Sequence, residues 1–218
     1  MDLAHPLAVV TPTIDGDVLS VLARAEVDFT PGQVAKLVGQ HSVEGVRRVL
    51  GRLTAQGIVL RRPAGAAYLY WLNREHLGAG PIIELADLRS ALLARLGEHT
   101  ATWVTLPVYG ALFGSAARSD LHSGSDLDMF LVHDDHVDER IWSGYVDELA
   151  NLAWRWTGND PRPVTYSAAE VNRLGTDEPL LVNVAADGIA FAGDHQWLKR
   201  AIRRPHTGFV DGSPVRHW

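Results

Sequence analysis

Asp126 and Asp128 stand two residues apart in the run Leu127, Met129, Phe130, Leu131, Val132. Side chains alternate along an extended chain. A strand over 126–132 therefore turns both carboxylates to one face and Leu127, Met129 and Leu131 to the other. Separated from Asp126 by ten residues lies the pair Gly114 and Ser115, just after a short apolar run that ends in Phe113. Two carboxylates on one face can bridge divalent ions, which prefer oxygen ligands. Such ions bind triphosphate oxygens and neutralise charge during an in-line attack. Gly114 lets the backbone approach a phosphate closely. Ser115 offers a hydroxyl and an amide at a predicted helix start, where the dipole favours anions. Arg118, one turn on, is placed to reach a phosphate oxygen. The chemistry that uses this layout is metal-assisted phosphoryl transfer. Asp126 and Asp128 would hold Mg2+ or Mn2+ and act as the catalytic pair, while Gly114, Ser115 and Arg118 would hold phosphate.

Other polar groups have plainer readings. The stretch 133–136, His-Asp-Asp-His, is rich in metal-ligand types. It follows a strand end and precedes a helix, where Asp commonly caps, so it reads as structural. Asp120 and His122 lie in the loop before the paired aspartates, within reach of a substrate, but polar loop residues need no such role.

The elements that must position these residues follow the pair. Residues 138–156 form an amphipathic helix with Ile141, Trp142, Tyr145, Val146, Leu149, Leu152 and Trp156 inward. Most of the seven Trp fall on such faces and read as core; Trp218 at the end of the chain has no such explanation. Residues 162–166 read as a third strand, 178–186 as a helix and 188–192 as a short strand or turn.

The order of hydrophobic strand, Gly-Ser, ten residues, then Asp-hydrophobic-Asp-hydrophobic resembles the nucleotidyltransferase superfamily that includes DNA polymerase beta. It is most similar to the small prokaryotic minimal branch of that superfamily. The branch's start, Gly-Ser-x-Ala-Arg-Gly, reads Gly-Ser-Ala-Ala-Arg-Ser here, and Ser125 before Asp126 also fits, which adds Ser125 to the phosphate-binding set. The resemblance covers about 105–195. It implies a small mixed sheet with helices on one face. It also implies transfer of a nucleoside monophosphate from a nucleoside triphosphate to a hydroxyl, releasing pyrophosphate. A third acid belongs on the strand after the long helix, and the matching strand, Arg-Pro-Val-Thr-Tyr, has none. Asp160 lies just before it in a turn. Glu170 lies just after it, in Ser167-Ala-Ala-Glu170, a capping box that gives this Glu a structural reason. The missing acid typically serves as metal ligand or as base. Nucleotide binding is therefore better supported than turnover.

The first third of the chain has a different character. Residues 17–24 read as a short helix with Val18, Leu19, Val21 and Leu22 inward. Thr30 and Pro31 start a second helix, which Gly39 breaks. Ser42 caps a third, whose Val46, Val49, Leu50 and Leu53 form one apolar stripe, with Glu44, Arg47, Arg48 and Arg52 opposite. Two β runs, 58–62 and 67–72, flank a turn at 63–66. Three helices and a β-hairpin in this order resemble a winged helix-turn-helix domain over about 15–76. The resemblance implies DNA binding. Ser42, Val43, Arg47 and Arg48 would reach base edges, while Arg52, Arg61 and Arg62 would meet phosphates.

Charge follows the same division. Residues 1–80 carry a balance of +1 and residues 81–218 a balance of −7, and 41–76 hold six Arg against Glu44 and Glu75. This asymmetry suggests nucleic acid for the first module and cation chemistry for the second. With 46% hydrophobic and 21% charged residues, the composition excludes wholesale disorder and collagen-like structure. The absence of Cys excludes disulfides, cysteine nucleophiles and thiolate zinc sites. No apolar run approaches the roughly 20 residues of a membrane-spanning helix. The opening MDLAHPLAVVTPT has no basic region before a hydrophobic stretch, so no signal peptide is expected. A cytoplasmic location and no membrane partner follow as expectations.

The fold class expected is α+β. A winged helix-turn-helix over 1–77 is followed by a connecting helix over 78–100, with a boundary at Gly78-Ala79-Gly80-Pro81. The helix proper spans 82–98, with Ile82, Leu85, Leu88, Leu92 and Leu96 on related faces. A mixed-sheet nucleotidyltransferase-like domain over 101–200 comes next. A tail over 201–218, rich in Gly, Pro, Arg and His, is expected to be mobile. The leading expectation is a metal-dependent nucleotidyltransferase-like protein with a DNA-binding module. The alternative is a winged-helix transcriptional regulator whose nucleotidyltransferase domain is degenerate and only binds nucleotide or dimerises. The partners expected are a nucleoside triphosphate and duplex DNA, with a second copy of the chain or a toxin–antitoxin partner beside them.

Overall fold

A computed structural model describes residues 1–39, 41–118 and 121–203. The expectation of a mobile tail beyond Arg203, Trp218 within it, and Asp120 all lie outside the described residues.

The first module is built from α1 (Ile14–Ala23), α2 (Pro31–Val38), α3 (Val43–Ala55), β1 (Val59–Ala64), β2 (Ala67–Leu72) and α4 (Ala79–Ala86). α2 starts as its residue types require. Gln33 N donates to Thr30 Oγ1 at 3.2 Å, and the Gln33 side chain accepts from Thr30 N at 2.8 Å, a full capping box. Gly39, at φ +79°, ends it. α3 opens with Gly45 N donating to Ser42 Oγ at 3.1 Å. Its predicted stripe of Val46, Val49, Leu50 and Leu53 is buried, and it packs with Val18, Leu22 and Val34 of the first two helices. The hairpin turn is tighter than expected. Ala64 pairs with Ala67, so Gly65 and Ala66 alone make the turn, with Gly65 at φ +61°. Pro63 is accommodated within β1 because a two-stranded ribbon leaves one edge unpaired.

The helix expected over 82–98 is two helices. α4 ends at Ala86, and α5 (Leu88–Thr100) begins after Asp87, which stands between the two. The physical reason lies in what each half buries. Ile82 and Leu85 pack on the first core with Ala79 and Ala86, whereas Leu92 and Leu96 are buried in the second. One apolar stripe thus serves two cores that a single straight helix would not reach together. The chain's first residues also divide: Leu7 joins the first core, and Leu3 the second.

The second module holds β3 (Tyr109–Leu112), α6 (Gly114–Arg118), β4 (Leu127–His133), α7 (Glu139–Thr157), β5 (Pro161–Ser167), α8 (Ala168–Leu174), α9 (Pro179–Asp187), β6 (Ile189–Gly193) and α10 (Trp197–Ala201). The sheet runs β5-β4-β3-β6, with β4 and β5 parallel and the other pairs antiparallel. Helices cover both faces, not one as expected. Leu127, Met129 and Leu131 of β4 pack with α5 and α7, while Phe130 and Val132 pack with α8, α9 and α10. A strand that is apolar on both sides needs cover on both sides.

α7 is capped by Asp138, whose Oδ1 accepts from Arg140 N at 2.8 Å and Ile141 N at 3.3 Å. Its inward face is as expected for Trp142, Val146 and Leu149, but Ile141 is 54% exposed. Trp154, which is not among the inward residues expected of this helix, is 57% exposed. The whole is α+β, a helix-rich region with a β-hairpin wing followed by a mixed-sheet domain. Among the described residues no helix is long and apolar enough to cross a membrane.

Candidate nucleotide site

The site forms where β3 turns into α6 beside the start of β4. Phe113 N donates to Asp128 O at 3.1 Å, which brings the turn against β4. Gly114 follows at φ +61°, a backbone that favours glycine, and a Cβ there would overlap Asp128 Oδ2. The carboxylate of Asp128 therefore lies against the glycine turn. Ala116 and Ala117 anchor α6 in the protein, and Ser115 and Arg118 occupy the rest of that short helix. Asp126 is exposed just before β4, and Asp128 is its second residue, half-buried. Burial pushes the Asp128 carboxyl above its usual range, and the nearby Asp126 charge adds to this. Arg118 and Arg162 oppose the shift. The two acids thus sit close enough to feel each other, as the alternation of the strand predicts.

Across the parallel ladder, Arg162 of β5 stands directly opposite Asp128. Its Nε lies 3.5 Å from Asp126 Oδ2, and another guanidinium nitrogen lies 2.6 Å from Asp160 Oδ2. Leu127 N donates to Asp160 O at 2.8 Å, so Asp160 is held beside Asp126 at the same end of the two strands. Glu170 is engaged elsewhere. Its carboxylate accepts from Ser167 N at 2.8 Å, and its own N donates to Ser167 Oγ at 3.2 Å, the capping box read from sequence. Among the described residues no three His, Asp or Glu side chains gather to hold a metal ion. A pair of carboxylates with a guanidinium in place of a third does not fit the divalent-ion site that the resemblance implies.

Two further residues complete the local frame. Ser125 Oγ accepts from His122 N at 3.1 Å, closing the turn that leads into Asp126. Asn159, 1% exposed, donates from Nδ2 to His122 O at 2.7 Å and to Ser125 O at 3.0 Å. It ties the loop before β4 to the turn before β5, and so sets Asp126 against Asp160 and Arg162. Sequence reading missed it, because an Asn in a Gly-Asn-Asp-Pro turn carries no sign of this role. The 133–136 stretch is structural. Asp134 Oδ1 accepts from His136 N at 3.0 Å, and Asp135 Oδ1 from Ala169 N at 2.7 Å, at the start of α8.

The residues expected at DNA, Ser42, Val43, Arg47, Arg48, Arg52, Arg61 and Arg62, are all exposed along α3 and β1. Several are already engaged. Ser42 Oγ caps α3, Arg47 pairs with Glu44 at 2.7 Å and Arg52 pairs with Asp15. Arg62 pairs with Asp28 at 2.6 Å, and Arg61 lies 4.5 Å above the Tyr68 ring.

The family model described as a nucleotidyltransferase domain matches residues 110–177, the span from β3 through α8 that holds this site. No curated protein sequence matches the chain. Two solved structures are similar in part. A crystal structure of a toxin–antitoxin with AMP-PNP is 20% identical, covering 51% of this chain and 79% of its own, with a TM-score of 0.36. A mutant of the toxin–antitoxin MntA-HpeT is 18% identical, covering 52% and 80%, with a TM-score of 0.35. With the family match falling on the strand, glycine turn and aspartate pair just described, the chain carries a nucleotidyltransferase-like domain joined to an N-terminal helical region.

Proposed function

We propose that this chain is a DNA-binding regulator whose nucleotidyltransferase-like domain binds nucleotide without transferring it. One observation carries the reading: the position opposite Asp128 on the neighbouring strand is Arg162, not an acid. A base or third metal ligand is then lacking where the chemistry needs one. What remains suits phosphate recognition through Gly114, Ser115, Arg118 and Ser125. The regulator half of the reading is supported by the exposed arginine face of α3 and the hairpin, whose shape and charge suit duplex DNA. The junction between the two working parts falls at Asp87 in this reading, where the helix that links them is interrupted. A second copy or a toxin–antitoxin partner is compatible with it.

The test is binding of the full chain to duplex DNA across a salt series, with and without a nucleoside triphosphate. Binding that weakens steeply as salt rises is expected, because phosphate contacts release condensed counterions. No binding at low salt, where the electrostatic contribution is greatest, would remove the regulator role. A catalytic reading is favoured by the surviving pair of Asp126 and Asp128 beside the glycine turn. It requires pyrophosphate release by the wild-type chain.

A further inference from the structure

The arginine in the site has a consequence of its own, which rests on the reading above. We propose that Arg162 is the resident cation of the Asp126–Asp128–Asp160 face and closes it to divalent metal ions. Four charged residues share this end of the β4–β5 ladder. Asp128 and Arg162 are partners in the register, and Asp160 is fixed beside Asp126 by the bond from Leu127 N to Asp160 O. The guanidinium touches the acids on either side of it, at 3.5 Å from Asp126 and 2.6 Å from Asp160.

A divalent ion of the Mg2+ or Mn2+ class needs several oxygen ligands at once. Here two of the three nearest carboxylates are turned toward a guanidinium cation. Each ion pair is exposed and weak on its own. The exclusion therefore acts through charge and occupancy, not through a rigid cap. A second cation entering the face would meet the guanidinium's positive charge and would have to displace it from two carboxylates.

Removing only the charge of residue 162 leaves three carboxylates at the start of two paired strands with one guanidinium fewer to offset them, while Arg118 still acts on Asp128. In that variant the Asp126 and Asp160 carboxylates are released to turn toward a cation, whereas in the wild-type arrangement no three such acids gather among the described residues. Asp160 is the third carboxylate so released, in a turn that Asn159 fixes.

The experiment is a Mn2+ titration of the full-length protein, reading free Mn2+ by electron paramagnetic resonance, with circular dichroism and thermal melting as checks on the fold. Wild type and Arg162→Lys, which keeps the charge, should show no saturable Mn2+ site. Arg162→Gln should bind one Mn2+ with an affinity at least tenfold above the weakest the titration detects, about 1.4 kcal/mol. Arg162→Gln with Asp160→Asn should return to the wild-type level. A folded Arg162→Gln protein that gains no Mn2+ affinity overturns the proposal. So does a saturable Mn2+ site in the wild type that disappears with Asp126→Asn and Asp128→Asn, a result that requires no variant at 162. Mn2+ binding by the wild type without pyrophosphate release would overturn this proposal alone and leave the non-catalytic reading of the domain standing.

Discussion

Asp128 is held where its charge is unwelcome. Burial and the Asp126 carboxylate both favour its protonated form, and Arg118 and Arg162 offset only part of this. The folded state therefore binds this proton more tightly than the unfolded chain does. Below the ordinary carboxylate range both states are protonated and the residue costs nothing. As pH rises into that range and through the raised value, ionising the folded form costs stability. Asp128→Asn should accordingly raise the melting temperature at neutral pH, with the gap closing as pH falls through the carboxylate range. A variant that melts below wild type at neutral pH, or a gap that widens in acid, would contradict this. The aspartate pair was legible in the sequence because side-chain alternation is local to one strand. Arg162 was not, since its position opposite Asp128 depends on the register between strands 34 residues apart in the chain.

Helix and strand boundaries followed local chemistry where a local signal existed. Thr30, Ser42, Asp138 and Ser167 each accept a hydrogen bond from the first turn that follows them. The Ser167–Glu170 box permits a clean separation of roles. Glu170→Ala should lower stability by about 0.5–2 kcal/mol in chemical denaturation and leave Mn2+ binding in the Arg162→Gln background unchanged. Loss of Mn2+ binding with stability intact would make Glu170 a ligand after all. Two element-scale features lay beyond the sequence. The interruption at Asp87 was hidden because Ile82, Leu85, Leu92 and Leu96 fit one stripe, and only tertiary packing assigns them to different cores. The second helical layer was hidden in part because the resemblance supplied one layer, although the apolar residues on both faces of β4 were a usable signal.

On the scale of the whole molecule, half of the first module's eight basic residues are paired within the module itself. Arg47, Arg52, Arg62 and Arg74 each have an acidic partner, at Glu44, Asp15, Asp28 and Glu26. A basic surface counted from sequence therefore overstates what DNA meets. Asp28→Asn, which frees Arg62, should steepen the salt dependence of DNA binding by about one phosphate contact, and Arg62→Ala should flatten it by about one. Equal slopes for wild type and both variants would take the wing out of the interface. Joined to this module is a nucleotidyltransferase-like domain with Arg162 opposite Asp128, which in the reading proposed above recognises nucleotide but does not transfer it. Pyrophosphate release tests this most directly. The full chain is incubated with each nucleoside triphosphate and Mg2+ or Mn2+, with protein, RNA and small hydroxyl acceptors offered in turn. Release by the wild type should be no greater than that of the Asp126→Asn, Asp128→Asn double variant. Release by the wild type that the double variant abolishes would contradict it.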